Sequence, residues 1–288
     1  MNFATAQDGF VLSNGTRIPC IGFGTWQTPD GQTAIDAVSH ALVAGYRHVD
    51  AAAVYHNEKS VGQGIAKGLA AAGLAREDIF VTSKVWNDDR GYESTKRALH
   101  KTLDDLGLSY LDLYLIHWPA SDYRFADWEQ INLDTWRAMT EMYHEGLIKA
   151  IGVSNFWPRH LEALMQTEVK PMVNQIEFHP GELHQEVVDC CIANDIIVEA
   201  WSPLGSGRVL SDGRLAAIAA HYDVSVARLC VRWALQHGIL PLPKSVTPAR
   251  IDENLDVFGF EITVDDMAAI DAITYPGVTS MHPDKADF

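Results

Sequence analysis

The sequence predicts one (β/α)8 barrel that spans residues 1–288 as a single domain. Eight strand-like apolar runs recur at spacings of about 24 to 43 residues, which suits a strand followed by a crossover helix. Segments with helical periodicity lie between these runs. A barrel of this kind commonly uses roughly 250 residues as one domain. An open doubly wound sheet is the alternative.

Each strand is predicted from a short apolar run, and the alternation with helices has no long linker. The runs begin near Cys20, Tyr46, Ile79, Leu111, Ile148, Met172, Ile196 and Ile239. Ala34, Val38 and Ala41 form the first helical stripe, and another runs from Val226 to Trp233. Such stripes indicate core packing and carry no functional information.

Two segments lie outside the repeat. Asn14-Gly15, which lies between apolar residues, predicts a two-residue hairpin turn within Phe10–Ile18. Because this hairpin precedes the first strand, we expect it to cover the floor of the barrel. An extra helix is expected from about Thr263 to about Ile273. The remaining tail to Phe288 contains Pro276, Gly277 and Pro283, which favour irregular structure.

Composition excludes several classes of protein. With 47% hydrophobic and 21% charged residues, the chain can form a large core. Its 38 acidic and 22 basic residues give a formal charge of −16, which disfavours nonspecific nucleic-acid or anionic-membrane binding. There is no run of about 18 apolar residues and no signal-like N-terminus, so neither a membrane span nor secretion is expected.

The four cysteines are Cys20, Cys190, Cys191 and Cys230, and no CxxC motif occurs. This pattern favours a cytoplasmic protein over a disulfide framework or a zinc site. The predicted outer helices have ordinary amphipathic faces, so a monomer is expected.

Four chemically active side chains fall at successive strand ends: Asp50, Tyr55, Lys84 and His117. Taken singly, each of them also has a structural interpretation. Asp50 could cap a helix and Tyr55 could be a packing residue. Lys84 could be a solvated charge and His117 a hydrogen-bonded residue at the rim. In parallel α/β folds, however, the chemistry lies at the carboxyl ends of the strands. Their combination therefore predicts an active site.

The four residue types suit the reduction of a carbonyl group. A lysine beside a tyrosine lowers the phenol pKa, and an aspartate keeps the ammonium charged and in place. The tyrosine can then protonate an oxygen that gains negative charge, while a neutral histidine orients that oxygen. Hydride transfer from a bound nicotinamide is the natural partner reaction.

Other chemistries lack their motifs. Neither Gly22-Phe-Gly24 nor Gly205-Ser-Gly207 completes G-x-G-x-x-G, and no P-loop, H-E-x-x-H or G-x-S-x-G occurs. His179, Glu182 and His184 flank Pro180-Gly181 without regular ligand spacing, so ordinary loop polarity is favoured and no metal is expected.

These residues and their flanks resemble the aldo-keto reductase family over nearly the whole chain, in particular its prokaryotic 2,5-diketo-gluconate reductases and aldehyde reductases. The matching stretches are Gly45–Glu58, Val81–Asn87, Asp105–Pro119, Gly146–Phe156, Pro171–Pro180, Glu199–Gly205 and Leu240–Ser245. The resemblance implies extended NADPH binding without a Rossmann fold. It also implies Tyr55 as proton donor, tuned by Lys84 and Asp50, with His117 orienting the carbonyl.

The resemblance further implies a cofactor site. Ser154, Asn155 and Gln175 would bind the nicotinamide carboxamide, and Trp201 would stack on its ring. Ser202 and Leu204 would contact the pyrophosphate. The adenosine ribose and its 2′-phosphate would contact Lys244, Ser245, Val246, Thr247 and Arg250. Glu253 and Asn254 would lie by the adenine.

Lys244 and Arg250 also suggest a phosphate site without the resemblance, because they are two cations at the last strand end of an acidic chain. The structural alternative is a loop-to-helix turn with Thr247 as N-cap and Pro248 at N1. The phosphate site and the helix start are compatible interpretations, because the N-terminus of a helix can bind phosphate. NADPH is expected over NADH.

Aromatic residues after strand ends predict the substrate pocket. Its expected walls are Phe23, Trp26, Trp86 and Trp118, closed by the tail around His282 to Phe288. An aromatic residue is as often core as pocket, and the substrate is not readable from the tail. The departure His56, where the family commonly has glycine, is expected to narrow the entrance.

The leading hypothesis is an NADPH-dependent reductase of aldehydes and ketones, including α-dicarbonyls, keto-sugars and aromatic aldehydes. A cofactor-binding regulatory or structural protein with little turnover is the alternative, which the pairing of Tyr55 with Lys84 disfavours. A metal-dependent barrel hydrolase is a third possibility, but it lacks a ligand set.

Overall fold

The chain begins with an antiparallel hairpin of β1 (Gly9–Val11) and β2 (Arg17–Pro19) in the computed structural model, which describes residues 3–275 and 281–286. Leu12 N donates to Thr16 O (2.8 Å), so the loop holds three residues, and the two-residue turn predicted from Asn14-Gly15 is wrong. Gly15 has φ +86°, the left-handed conformation that the last position of such a loop requires.

Eight parallel strands then form one sheet in which their spatial order follows the sequence. They are β3 (Phe23–Gly24), β4 (His48–Asp50), β5 (Phe80–Val85), β6 (Leu113–Ile116), β7 (Ile151–Ser154), β8 (Val173–Glu177), β9 (Ile197–Trp201) and β10 (Leu240–Pro241). Backbone hydrogen bonds from Gly22 N to Pro241 O (3.0 Å) and from Gly24 N to Pro243 O (3.1 Å) join the first of them to the last. The predicted (β/α)8 barrel is confirmed, and the open sheet is excluded.

The strands are buried on both faces because helices cover the outside of the barrel. The helices are α1 (Gln32–Ala44), α2 (Glu58–Ala72), α3 (Tyr92–Leu106), α4 (Trp128–His144), α5 (Pro158–Leu164), α6 (Gln185–Ala193), α7 (Gly213–His221), α8 (Val226–Gln236), α9 (Pro248–Leu255) and α10 (Val264–Asp271). Two helices, α7 and α8, connect β9 to β10. The sequence stripe from Val226 to Trp233 marked only α8.

The extra segments lie where the sequence predicted them. Asn14 Nδ2 donates to Lys149 O (2.9 Å) just before β7, so the hairpin covers the N-terminal ends of the strands. Helix α10 is the predicted extra helix, and Thr263 caps it by accepting a hydrogen bond from Asp266 N (3.2 Å). Pro276, Gly277 and Phe288 lie outside the described residues.

Candidate active site

Three of the four predicted catalytic residues meet at one buried ammonium group. Lys84 on β5 is fully buried, and its Nζ lies 2.6 Å from Oδ1 of Asp50 at the end of β4. The same nitrogen donates to Ala51 O (2.9 Å) and to the Tyr55 hydroxyl (3.4 Å). Tyr55 reaches this position because a single 3-10 turn, Ala53–Tyr55, follows β4.

The surroundings keep Tyr55 protonated at neutral pH. Burial raises the pKa of its phenol, and the neighbouring Lys84 ammonium only partly offsets that effect. The expected lowering of the phenol pKa by Lys84 is therefore present, but burial outweighs it. Burial disfavours the charged form of Lys84, yet Asp50 and Tyr55 reverse this and raise the pKa of its ammonium. The lysine remains a cation beside a neutral phenol.

His117 follows β6 directly and faces Tyr55 across the same space. The two ring centroids are 5.7 Å apart in an edge-on arrangement. Burial, together with the charge of Lys84, holds the pKa of His117 well below its usual range, so its imidazole is neutral. Its buried Nδ1 has no hydrogen-bond partner among residues 3–275 and 281–286. The tautomer protonated at Nε2 leaves a donor for a carbonyl oxygen.

Asn155 connects His117 to Trp201 through hydrogen bonds of its side-chain amide. It lies just after β7 in the left-handed region (φ +62°), a conformation that non-glycine residues keep only where their surroundings enforce it. Its Nδ2 donates to His117 O (3.0 Å), and its Oδ1 accepts from Trp201 Nε1 (2.8 Å). These bonds fix the plane of the Trp201 indole at the end of β9.

Of the tetrad Asp50, Tyr55, Lys84 and His117, all but the buried Lys84 line one cavity of about 840 Å³, which extends to the ends of β9 and β10. Ten predicted cofactor residues line it: Asn155, Gln175, Trp201, Ser202, Leu204, Lys244, Ser245, Arg250, Glu253 and Asn254. A cavity that reaches from a proton donor to two cations has the extended form that a dinucleotide requires.

Three predicted cofactor residues do not line this cavity. Ser154 is buried beneath it, and its hydroxyl donates to Gln175 O (2.8 Å). Val246 is 40% exposed, and Thr247 is the N-cap residue of α9. Their prediction came from motif position, which does not reveal which way each side chain points.

The far end of the cavity suits an anion. Lys244 Nζ donates to a backbone carbonyl, Gln27 O (3.1 Å), and burial lowers the pKa of this lysine. Within the described ranges, neither Lys244 nor Arg250 has an acidic partner, although the chain carries a net charge of −16. Helix α9 begins at Pro248, between these two residues in the sequence, and the N-terminus of a helix favours an anion. These groups fit the 2′-phosphate of NADPH.

Three of the four aromatic residues predicted to form the substrate pocket line the cavity. Trp26, Trp86 and Trp118 line the cavity near the tetrad. Phe23 does not, because it is buried in the core, edge-on to Tyr46 with ring centroids 5.6 Å apart. Adjacent residues on a strand point to opposite faces, and Gly24 is the one that lines the cavity.

The tail contributes Met281 to the cavity lining. Asp284 is held by Arg159, whose Nε lies 3.0 Å from Asp284 Oδ2, and by His160 Nε2 at 2.8 Å from Oδ1. His56 is exposed and does not line the cavity, so the expected narrowing of the entrance is wrong. Its φ of +55° explains why glycine suits this position.

Sequence reasoning missed one loop that borders the cavity, the one after β9. Ser206, Gly207 and Leu210 belong to a 3-10 segment, Gly205–Ser211, and line the cavity. Both glycines of Gly205-Ser-Gly207 have positive φ (54° and 89°), which a strand-end pair of glycines signals. As an incomplete G-x-G-x-x-G fingerprint, the same motif carries no prediction of a binding loop.

Residues 3–275 and 281–286 offer neither a metal-binding cluster nor a membrane-spanning helix. Those residues contain no group of three or more His, Cys, Asp or Glu side chains arranged to hold a metal ion. They also contain no helix whose length and apolarity would let it cross a bilayer. His179 instead bonds to Pro180 O (2.9 Å) and Glu177 (3.2 Å).

Comparison with known proteins agrees with this geometry. The model of the aldo/keto reductase family matches residues 20–274. An uncharacterized oxidoreductase of Bacillus subtilis (strain 168), YtbE, is 49% identical over 96% of this chain and 97% of its own length. The glyoxal reductase of the same organism is 46% identical over 98% of both chains.

Solved structures support the same conclusion. A mutant of the protein Gox0644 in complex with NADPH is 41% identical, with a TM-score of 0.89 over 98% of this chain and 100% of that one. Its likeness covers the barrel and the cavity described above. The chain therefore belongs to the aldo/keto reductase family of NADPH-dependent oxidoreductases.

Proposed function

We propose that this chain reduces small aldehydes and ketones to alcohols with NADPH, and that α-dicarbonyls are among its best substrates. The observation that carries this proposal is the buried Lys84 ammonium, which bonds to Asp50 and Tyr55. Both of these partners line the cavity that also contains Lys244 and Arg250. The similarity to a glyoxal reductase supports the substrate class. Keto-sugars and aromatic aldehydes are further candidates.

In the proposed reaction, Tyr55 is the proton donor. Its hydroxyl gives a proton to the carbonyl oxygen, and the phenolate that remains is stabilised by the ammonium of Lys84. Asp50 keeps that ammonium in place through the 2.6 Å ion pair. Neutral His117 donates a hydrogen bond to the same oxygen and sets the direction of the carbonyl.

The cofactor site would use the ten lining residues described above. When bound, NADPH supplies the hydride that the carbonyl carbon receives. Trp201 offers an aromatic face for the nicotinamide, with its ring fixed through Asn155. Arg250 and Lys244 would bind the 2′-phosphate, which supports NADPH over NADH. Trp26, Trp86 and Trp118 exclude water from the reacting carbonyl.

The test is the loss of NADPH absorbance with a panel of glyoxals, keto-sugars, aromatic aldehydes and ketones. We expect turnover with NADPH, fastest for α-dicarbonyls, and slower turnover with NADH. Tight NADPH binding without turnover of any carbonyl would contradict the proposal and favour the regulatory or structural alternative.

We also propose that the chain forms a single domain, that it is a monomer and that it is located in the cytoplasm. All four cysteines are unpaired, and Cys20, Cys191 and Cys230 are buried, which supports a reducing compartment. Light scattering after size exclusion should give the 31.8 kDa of one chain. A mass of twice that value would contradict the monomer.

A further inference from the structure

Beneath the tetrad lies a second buried carboxyl group, Glu199, in the middle of β9. It is fully buried, and it pairs in register with Gln175 on β8. Gln175 Nε2 donates to Glu199 Oε2 (2.7 Å) and also to Asp50 Oδ2 (2.9 Å). One amide nitrogen thus links Glu199 to the carboxylate that holds Lys84.

The charges in this part of the barrel do not balance if both carboxyl groups are ionised. The titratable groups facing Glu199 are His48 and Asp50 from β4 and Lys84 from β5. Its neighbours in register on β8 and β10 are Gln175 and Leu240, which do not titrate. Burial and the charge of Lys84 lower the pKa of His48 to about 3, so this imidazole is neutral.

The Lys84 ammonium is therefore the one cation in this group of side chains, and it faces two carboxyl groups, those of Asp50 and Glu199. Glu199 Oε1 has no hydrogen-bond partner in the described part of the chain, and His48 Nε2 lies 3.9 Å from it. His48 Nε2 is instead bonded to Thr82 Oγ1 (2.9 Å). A buried carboxylate is unfavourable when one amide donor reaches one of its oxygens and the other oxygen has neither a donor nor a cation. Burial and then the nearby Asp50 accordingly raise the pKa of Glu199 to about 8.

We propose that Glu199 is a positioning residue that acts through Gln175 on Asp50 and couples the activity of Tyr55 to pH. While Glu199 is neutral, the charge of Lys84 is shared only by Asp50 and Tyr55. When Glu199 is ionised, a second negative charge lies beside Asp50. This inference rests on the proposed carbonyl reduction.

The coupling follows from the direction of proton transfer. Tyr55 becomes a phenolate when it protonates the substrate, and Lys84 must stabilise that charge. A further negative charge nearby makes the phenolate less favourable and binds Lys84 more strongly to the carboxyl groups. The rate of carbonyl reduction should therefore fall as Glu199 loses its proton.

The test compares pH profiles of kcat/KM for wild type, Glu199→Gln and Glu58→Gln. Glu58 is a matched control because it is also a buried acid with a pKa raised by burial, but Ser83 (2.6 Å) and Thr102 (3.2 Å) bond it outside the site. We expect wild type and Glu58→Gln to lose activity near pH 8. Glu199→Gln should retain about threefold more of its neutral-pH activity at pH 9. A folded Glu199→Gln with the wild-type profile would overturn the proposal.

A second readout does not depend on turnover. Because the folded protein holds the Glu199 proton more tightly than the unfolded chain does, wild-type stability should fall as pH rises from about 4.3 towards 8. Glu199→Gln should lack this part of the decline in its urea midpoints. If midpoints diverge but no carbonyl is reduced, the proposed function fails while the ionisation of Glu199 stands. Parallel midpoints would overturn the inference.

Discussion

The catalytic end of the cavity and its mouth are built in different ways. At the catalytic end, Asp50 and Lys84 lie on adjacent strands and are 3% and 0% exposed. At the mouth, Trp26 and Met281 are 38% and 48% exposed and come from a loop and the tail. Under the proposed function, the charges held on strands would determine the reaction, and the apolar surface carried by loop and tail would determine which carbonyls enter.

The largest expected effect comes from breaking the catalytic end with Lys84→Met. Asp50 would remain buried without its cation, so we expect stability to fall by about 3–5 kcal/mol. Turnover should fall by about 10²–10⁴-fold because Tyr55 loses the charge that stabilises its phenolate. Urea unfolding and steady-state kinetics measure the two losses.

Lys96→Met is the matched control for this change. Lys96 pairs with Glu141 at the surface between α3 and α4, where solvent screens the charges, so its loss should cost much less stability than the loss of Lys84. Equal destabilisation by the two variants would contradict the view that the buried pair supports the catalytic end.

An intermediate effect is expected at the cofactor end with Arg250→Ala. This arginine lines the cavity and has no carboxylate partner in the described ranges, so it is available to a phosphate. Losing one charge-assisted contact of about 1.5–3 kcal/mol should weaken NADPH binding by about 10- to 100-fold. NADH, which lacks the 2′-phosphate, should bind as before.

Quenching of tryptophan fluorescence measures both affinities. Arg97→Ala, an exposed arginine on α3, should change neither. Equal weakening of NADPH and NADH by Arg250→Ala would mean that Arg250 does not recognise the 2′-phosphate.

The smallest effect is expected at the mouth with Arg159→Ala. It removes the contact with Asp284 (3.0 Å) that holds the tail next to Met281, and this ion pair is partly exposed. The KM for bulky aromatic aldehydes should change by about two- to fivefold, while kcat and the KM for glyoxal stay the same. A large loss of kcat for glyoxal would show that the mouth and the catalytic end are not separable.

The positions of the strands could be predicted because they depend on the local pattern of apolar residues. The eight strands begin within three residues of their predicted starts, because each is a short apolar run and all but the first follow an amphipathic helix. The proximity of the proposed catalytic residues was also predictable, since parallel strands bring their carboxyl ends together. Asp50, Tyr55 and His117 follow or end strands in this way.

The rest depended on side-chain direction and burial, which sequence does not report. Phe23 and Gly24 are adjacent, and a shift of one residue decides which of them reaches the cavity. The sign of the net pKa change at Tyr55 depended on how deeply the phenol is buried. Glu199 lies inside a matching motif, but only the barrel interior places it beneath Asp50.

The most direct test of the central claim is Tyr55→Phe, measured in one set of single-turnover and NADPH-binding experiments. Phenylalanine keeps the ring against His117 but removes the hydroxyl that lies 3.4 Å from Lys84 Nζ. We predict a fall in the reduction rate of about 10²–10⁴-fold, with NADPH affinity within about twofold of wild type. A variant that binds NADPH normally and still reduces carbonyls at the wild-type rate would contradict the account.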